Sequence, residues 1–186
     1  MSIGEGWAKR AAVTVVRCRN YDHNTHYTLP IAPSPNLATQ QSIYLYPSLC
    51  LFEGTVVSVG RGTDFPFEVY GHPEMEGREF SFTPEARSAA MTPPHKDKVC
   101  YGEDLRGLRV EDIWREGVDL SYVIDAYTDL SMGDRFFTPM FEKLIGVSWG
   151  RRMIVEGYTA DEIKALWAED VERFKVLRHK YLLYEE

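Results

Sequence analysis

The chain has 186 residues, a formal charge of −7 and a pI near 5.3, so it lacks an electrostatic footprint for nucleic acid or for an anionic membrane surface. A hydrophobic fraction of 44% and an aromatic fraction of 13% exclude a disordered chain and suit one large domain, or one domain with a small appendage. Cys18, Cys50 and Cys100 are odd in number and lack C-x-x-C pairing. That excludes a disulfide framework and a zinc site, and predicts buried free thiols. No apolar run approaches the roughly 18 residues that would cross a bilayer.

In chain order, Ala11 to Cys18 is β-branched and predicts a buried strand. Its apolar part is too short for a signal-peptide core, so an export signal of a parent protein would lie upstream. A polar, aromatic stretch from Asn20 to Tyr27 follows. Pro30, Pro33 and Pro35 then enforce a stiff extended crossing, the best candidate for a boundary. Residues 1–29 therefore read as the end of a preceding domain or a linker strand, and 30–186 as one domain.

Thr39 to Phe52 predicts a helix, broken or restarted at Pro47 and stopped at Gly54. Thr55 to Asp64 contains Gly60-Arg61-Gly62 and predicts a loop. Phe65 to Tyr70, Phe80 to Thr83 and Val99 to Leu105 are strand candidates, with an exposed proline-bearing connection over 84–98. The last third predicts helices. Leu120, Val123, Ile124 and Tyr127 follow Asp119 as N-cap. Thr138-Pro139 opens a segment with Met140, Phe141, Leu144 and Ile145 on its apolar face, and Gly146 stops it. Thr159 and Glu162 form a capping box ahead of a stripe of Ile163, Leu166, Trp167, Phe174 and Leu177. The stripe is expected to pack on the core. Strand, helix, short strands and then helices make an α+β fold.

The densest set of chemistry-bearing residues runs from Leu51 to Glu68. Glu53 ends a helix, and Arg61 sits between two glycines that let the backbone take positive φ and approach a ligand. Arg61 then offers a planar fork for a carboxylate or phosphate. Equally, Gly60 and Gly62 could make a simple turn, with Arg61 paired to Asp64 or Glu53. A P-loop is excluded, because its spacing and its lysine are missing.

Pro33-Ser34-Pro35-Asn36-Leu37, Tyr46 to Thr55, Gly60-Arg61-Gly62-Thr63 and Pro66-Phe67-Glu68 together resemble the exo-β-N-acetylmuramidase family, long catalogued as a domain of unknown function. The resemblance continues through Phe80 to Pro84, Val99 to Gly102 and the tail from Lys180. It departs at Val56, where Asn is common, and at Ala38, where Pro is common. It implies a peptidoglycan hydrolase that releases N-acetylmuramic acid from the non-reducing end of cell-wall fragments, from a parent exported to the periplasm or cell surface. It also implies a Rossmann-like N-terminal domain that holds the catalytic glutamate and lies outside this sequence. This chain would be the C-terminal part, forming one wall of the cleft, with no cofactor and no metal. Glu53 would be a second carboxylate, and Arg61, Gly62, Thr63, Ser34 and Asn36 would contact the saccharide. A stand-alone cell-wall-sugar binder and a purely structural subdomain are the alternatives.

The weaker candidates are His23 and His26, three apart without further ligands at metal spacing and so expected to be exposed hydrogen-bonding groups. Tyr44, Tyr46, Tyr70 and Tyr101 could stack on sugar rings but suit a core equally. His72, His95 and His179 carry no local pattern.

Overall fold

The computed structural model describes residues 1–184 and has an α+β architecture. It divides into two units. The larger spans Leu29–Ile163, and the smaller joins Met1–Thr28 to the chain from Lys164 on.

Within the larger unit, helix α1 (Gln40–Leu49) opens on a capping box in which the Thr39 hydroxyl accepts the Ser42 N–H and the Ser42 hydroxyl accepts the Thr39 N–H. Pro47 does not restart the helix as expected. It lies inside α1, two residues before the end, and the chain then tightens into a 3₁₀ turn over Cys50–Gly54. Proline removes only one ladder donor, and so near the C-terminus that loss is tolerated. Gly54 ends this turn against α4, where an added Cβ would lie 2.5 Å from Phe141 Cα.

Strands β1 (Val69–His72), β2 (Phe80–Phe82) and β3 (Cys100–Asp104) form an antiparallel sheet in the order β1-β3-β2. Gly71 pairs with Gly102, and Tyr101 lies opposite both His72 and Ser81. Val69, Phe82 and Cys100 make one buried cluster, with Phe65 and Phe80 packed against it. Helices α2 (Val110–Glu116), α3 (Ser121–Leu130), α4 (Phe141–Ile145) and α5 (Gly150–Val155) follow, with a 3₁₀ turn over Gly133–Phe136. The first turn of α6 (Ala160–His179) completes the unit.

The core gathers Leu45, Leu49 and Phe52 with Tyr70, Leu120, Val123, Phe136, Phe141, Ile154 and Ile163. Phe52 stacks on Tyr70 at 4.8 Å between ring centroids. Each such side chain contributes roughly 1.5–3 kcal/mol by leaving water. Two expected helix starts shift, because Leu120 rather than Asp119 is the N-cap of α3 and α4 begins at Phe141 after Met140 rather than at Thr138-Pro139. Asp119 accepts the Ser121 N–H (2.8 Å), Gly146 ends α4 at φ 74°, and Thr159 and Glu162 close the box that opens α6.

Three expectations are corrected. Residues 11–18 form no strand, and Val16 is 88% exposed. Of the α6 stripe only Ile163 is buried; Leu166 and Phe174 are exposed and Trp167 is half-buried. The stripe exists, but the core of the larger unit reaches only one helical turn of it. The thiols are free, yet only Cys100 is buried. Cys50 is half-buried and Cys18 exposed, because the segment that should have covered Cys18 is itself in water.

In the smaller unit, Glu5 accepts the Tyr181 hydroxyl (2.6 Å) and pairs with Lys180 (2.6 Å), which together hold its carboxyl below the usual range. The Cys18 N–H donates to the Tyr184 hydroxyl (2.8 Å), and Tyr21 meets the Tyr184 ring edge-on. Among the described residues no helix is long and apolar enough to cross a membrane.

Candidate functional site

The loop after the 3₁₀ turn is pinned along its whole length. The Thr55 hydroxyl donates to the Phe52 carbonyl (2.9 Å) and accepts the Val57 N–H (3.1 Å). Val56 N–H donates to the Phe136 carbonyl, Ser58 and Gly71 exchange two backbone bonds of 2.9 Å, and Phe67 N–H donates to Val59. A loop with so many of its backbone groups satisfied by its neighbours is a rigid platform.

The Gly60-Arg61-Gly62 turn rises from this platform. Gly60 has φ 73° and Gly62 has φ 87°, a region that side chains disfavour. A Cβ on Gly62 would lie 2.5 Å from the Glu85 carbonyl oxygen, so this turn also presses on the following segment. Thr63 closes it, with its hydroxyl donating to the Gly60 carbonyl (2.6 Å) and accepting the Phe65 N–H (3.2 Å). Thr63 is thereby committed to shaping the turn.

The structure separates the two readings of Arg61. Asp64 pairs with Arg87, which holds the Asp64 carboxyl below its usual range, and Glu53 is exposed. Among the described residues Arg61 has no ion pair, and its Nε is buried without a hydrogen-bond partner. An unmet buried donor costs about 1–3 kcal/mol, so the side-on edge of this fork lacks the partner that its burial calls for. Glu68, the other carboxylate beside the turn, is buried and accepts the Thr39 hydroxyl.

Residues 84–98 are not the plain exposed connection that their prolines suggest. Pro84, Ala90 and Pro93 are buried, and the segment braces two of the motif loops. Glu85 N–H donates to the Gly62 carbonyl (3.0 Å), and Asn36 Nδ2 donates to the Ala89 carbonyl (3.4 Å). Ser34 accepts the Asn36 N–H through its hydroxyl (3.3 Å) and the Leu37 N–H through its carbonyl (2.9 Å), which makes a tight turn. Asn36 and Gly62, far apart in sequence, are thus tied to the same brace.

His95, on that brace, holds its Nε2 2.6 Å from the Val56 carbonyl. A carbonyl only accepts, so Nε2 carries the proton. The buried His72 accepts the Glu74 N–H at Nδ1 (3.1 Å) and meets the His95 ring edge-on at 4.4 Å. Burial, and then the neighbouring His95, push the His72 pKa below its ordinary value. Neither histidine stands in a motif, and 23 positions separate them, so no sequence signal could have paired them. Among the described residues no group of three or more His, Cys, Asp or Glu could hold a metal, and His23 and His26 are exposed.

Of the tyrosines, Tyr70 is core, with burial raising its hydroxyl pKa. Tyr46 is 38% exposed and lies 5.1 Å from Phe67. Two shallow depressions flank Arg78, whose guanidinium is held by Glu103 and Asp129. The guanidinium of Arg78 is thus already engaged, and the other charged groups lining these depressions are carboxylates, among them Glu76 and Glu79.

Comparison with known proteins places this geometry. The Bacillus subtilis peptidoglycan β-N-acetylmuramidase NamZ is 32% identical over 94% of the chain and 46% of its own length. The crystal structure of a DUF1343 family protein from Bacteroides fragilis is 54% identical and superposes with a TM-score of 0.97, covering all of this chain and 53% of the other. The chain thus spans about half the length of each relative. Residues 44–184 match the family described as exo-β-N-acetylmuramidase NamZ, C-terminal, and the chain belongs to that family.

Proposed function

We propose that this chain is the substrate-recognising part of an exo-acting β-N-acetylmuramidase that removes N-acetylmuramic acid from the non-reducing end of peptidoglycan fragments. The observation that carries the reading is Arg61, a half-buried cation that has no ion pair among the described residues and an unmet Nε on a rigid turn. N-acetylmuramic acid differs from N-acetylglucosamine by a lactyl ether that bears a carboxylate. A fork that gives two parallel, charge-assisted bonds, each worth about 1.5–3 kcal/mol, would select that group. Gly62 lets the turn lie close to its support, and Ser34, Asn36 and Thr63 hold the surrounding loops in shape.

Catalysis belongs to the parent protein. Glycoside hydrolysis usually takes two carboxyl groups about 5–10 Å apart, one of them protonated. Glu53 is exposed and Glu68 is buried against the Thr39 hydroxyl, and this chain is expected to lack a complete acid–base pair. Glu53 is the better candidate for a second carboxylate facing a cleft completed by an N-terminal domain. A substrate drawn from the cell wall fits a parent exported to the periplasm or cell surface. The isolated chain is expected to show no turnover.

Kinetics on a full-length family member carrying this region test the clamp. Arg61→Ala is expected to lower kcat/KM on a chromogenic muramic acid glycoside by about 10–100-fold, with little change on an analogue without the lactyl carboxylate. Arg61→Lys should also lose activity, because a point charge cannot replace the fork. Equal losses on both substrates would leave Arg61 a structural residue.

A further inference from the structure

The backbone groups of residues 9–17 form no hydrogen bonds among the described residues. The segment has no regular secondary structure and lies in water throughout. Val13, Val15 and Val16 are 67%, 54% and 88% exposed. No charged side chain falls between Arg10 and Arg17.

Side chains of an extended chain alternate between its two faces. As a strand, the run would put Ala11, Val13 and Val15 on one side and Ala12, Thr14 and Val16 on the other. Both faces are therefore small or β-branched and uncharged. A strand that is half in water alternates apolar with polar, and an edge strand carries charges or proline. A run that is apolar on both faces is the pattern of an inner strand in a sheet covered above and below. Its six residues would span about 20 Å, an ordinary strand length. Both rows of backbone donors and acceptors are free, as an inner strand requires.

We propose that residues 11–16 are an inner strand of a β-sheet that belongs to the N-terminal half of the full-length family protein, paired on both edges and covered on both faces. The two relatives supply the occupant. The chain matches the C-terminal part of the family, and each relative has about as much chain again outside the match. A bare strand of this kind would otherwise template aggregation. The proposal does not depend on the muramidase reading or on Arg61.

The test sets the intact Bacteroides fragilis relative beside this chain, with amide hydrogen exchange as the first readout. In this chain alone residues 11–16 are expected to exchange at nearly intrinsic rates. In the full-length relative the aligned amides should be slowed by about 100-fold or more. Substitutions then ask about both faces. Val15→Glu and Val16→Glu should leave the melting temperature of this chain unchanged. Either one, placed at the aligned position of the relative, should lower its melting temperature by roughly 2–4 °C or more. Should those variants fail to fold, Val15→Ala and Val16→Ala give a milder, graded version of the same comparison. Free exchange in the full-length protein would overturn the proposal, and so would sensitivity on one face alone. Self-association of this chain with protection at residues 11–16 would overturn it too, by making a second copy the occupant.

Discussion

Residues 11–16 and residues 69–70 both belong to short runs for which composition predicts a strand, the second run having been expected over Phe65 to Tyr70. Val69-Tyr70-Gly71-His72 becomes β1, bonded to β3 on one edge and touched by Ser58 on the other, with all four residues buried. Among the described residues Ala11 to Val16 has no backbone bonding partner, and it lies in water. The difference is not in β-propensity, which favours the first run at least as much. It lies in what the rest of the chain brings alongside. A strand is a statement about a neighbour, and the neighbour of β1 arrives some thirty positions later as β3. Within this chain the earlier run has none.

The largest expected effect sharpens that contrast. Phe82→Ala, at a residue only 6% exposed in the cluster with Val69 and Cys100, should cost about 3–5 kcal/mol in urea denaturation of this chain. Val16→Ala should stay within about 0.5 kcal/mol. Similar losses at both positions would mean that the early run already packs in the isolated chain. Next comes the turn built on the sheet's flank. Gly62→Ala must hold a left-handed φ and press a methyl against the Glu85 carbonyl, at a combined cost of about 1–3 kcal/mol. A neutral result would show that the turn can relax away from its brace.

The smallest effect is a pH dependence. Buried His72 binds a proton less readily in the folded chain than in the unfolded one. The unfolded chain therefore takes up more protons as the pH falls. Stability should decline from near the ordinary His value of about 6.5 downward, until the folded ring protonates as well. The groups that bear on this ring are His95 and Lys98, which disfavour its charge, and Glu74, which favours it. Thermal melts between pH 7.5 and 5 on the natural chain and on His72→Gln would check it, the variant losing that part of the slope. Equal slopes would assign the acid sensitivity to other groups.

Local chemistry was legible where one turn of chain decides the outcome. Thr39, Thr159 and Gly146 mark helix ends because capping needs only adjacent residues. Gly60-Arg61-Gly62 stands out for the same reason, and the family resemblance was carried by such compact blocks. The turn's alternatives stayed open until Asp64 was seen to choose Arg87, a residue 23 positions away. The His72–His95 contact, the bracing by residues 84–98 and the shallow reach of the core along α6 all depend on distant packing. No period or motif encodes these. The Leu166 and Phe174 stripe was real as a periodicity, but periodicity cannot say where the core ends.

The smaller unit is fastened by contacts between the two extremes of the sequence, with Glu5 and Tyr181 lying 176 positions apart. A chain stopped short of Lys180 leaves Glu5 without either of those partners and Cys18 without Tyr184. Removing the residues after His179 would therefore free both Glu5 and Cys18 from bonds that join distant stretches of this unit.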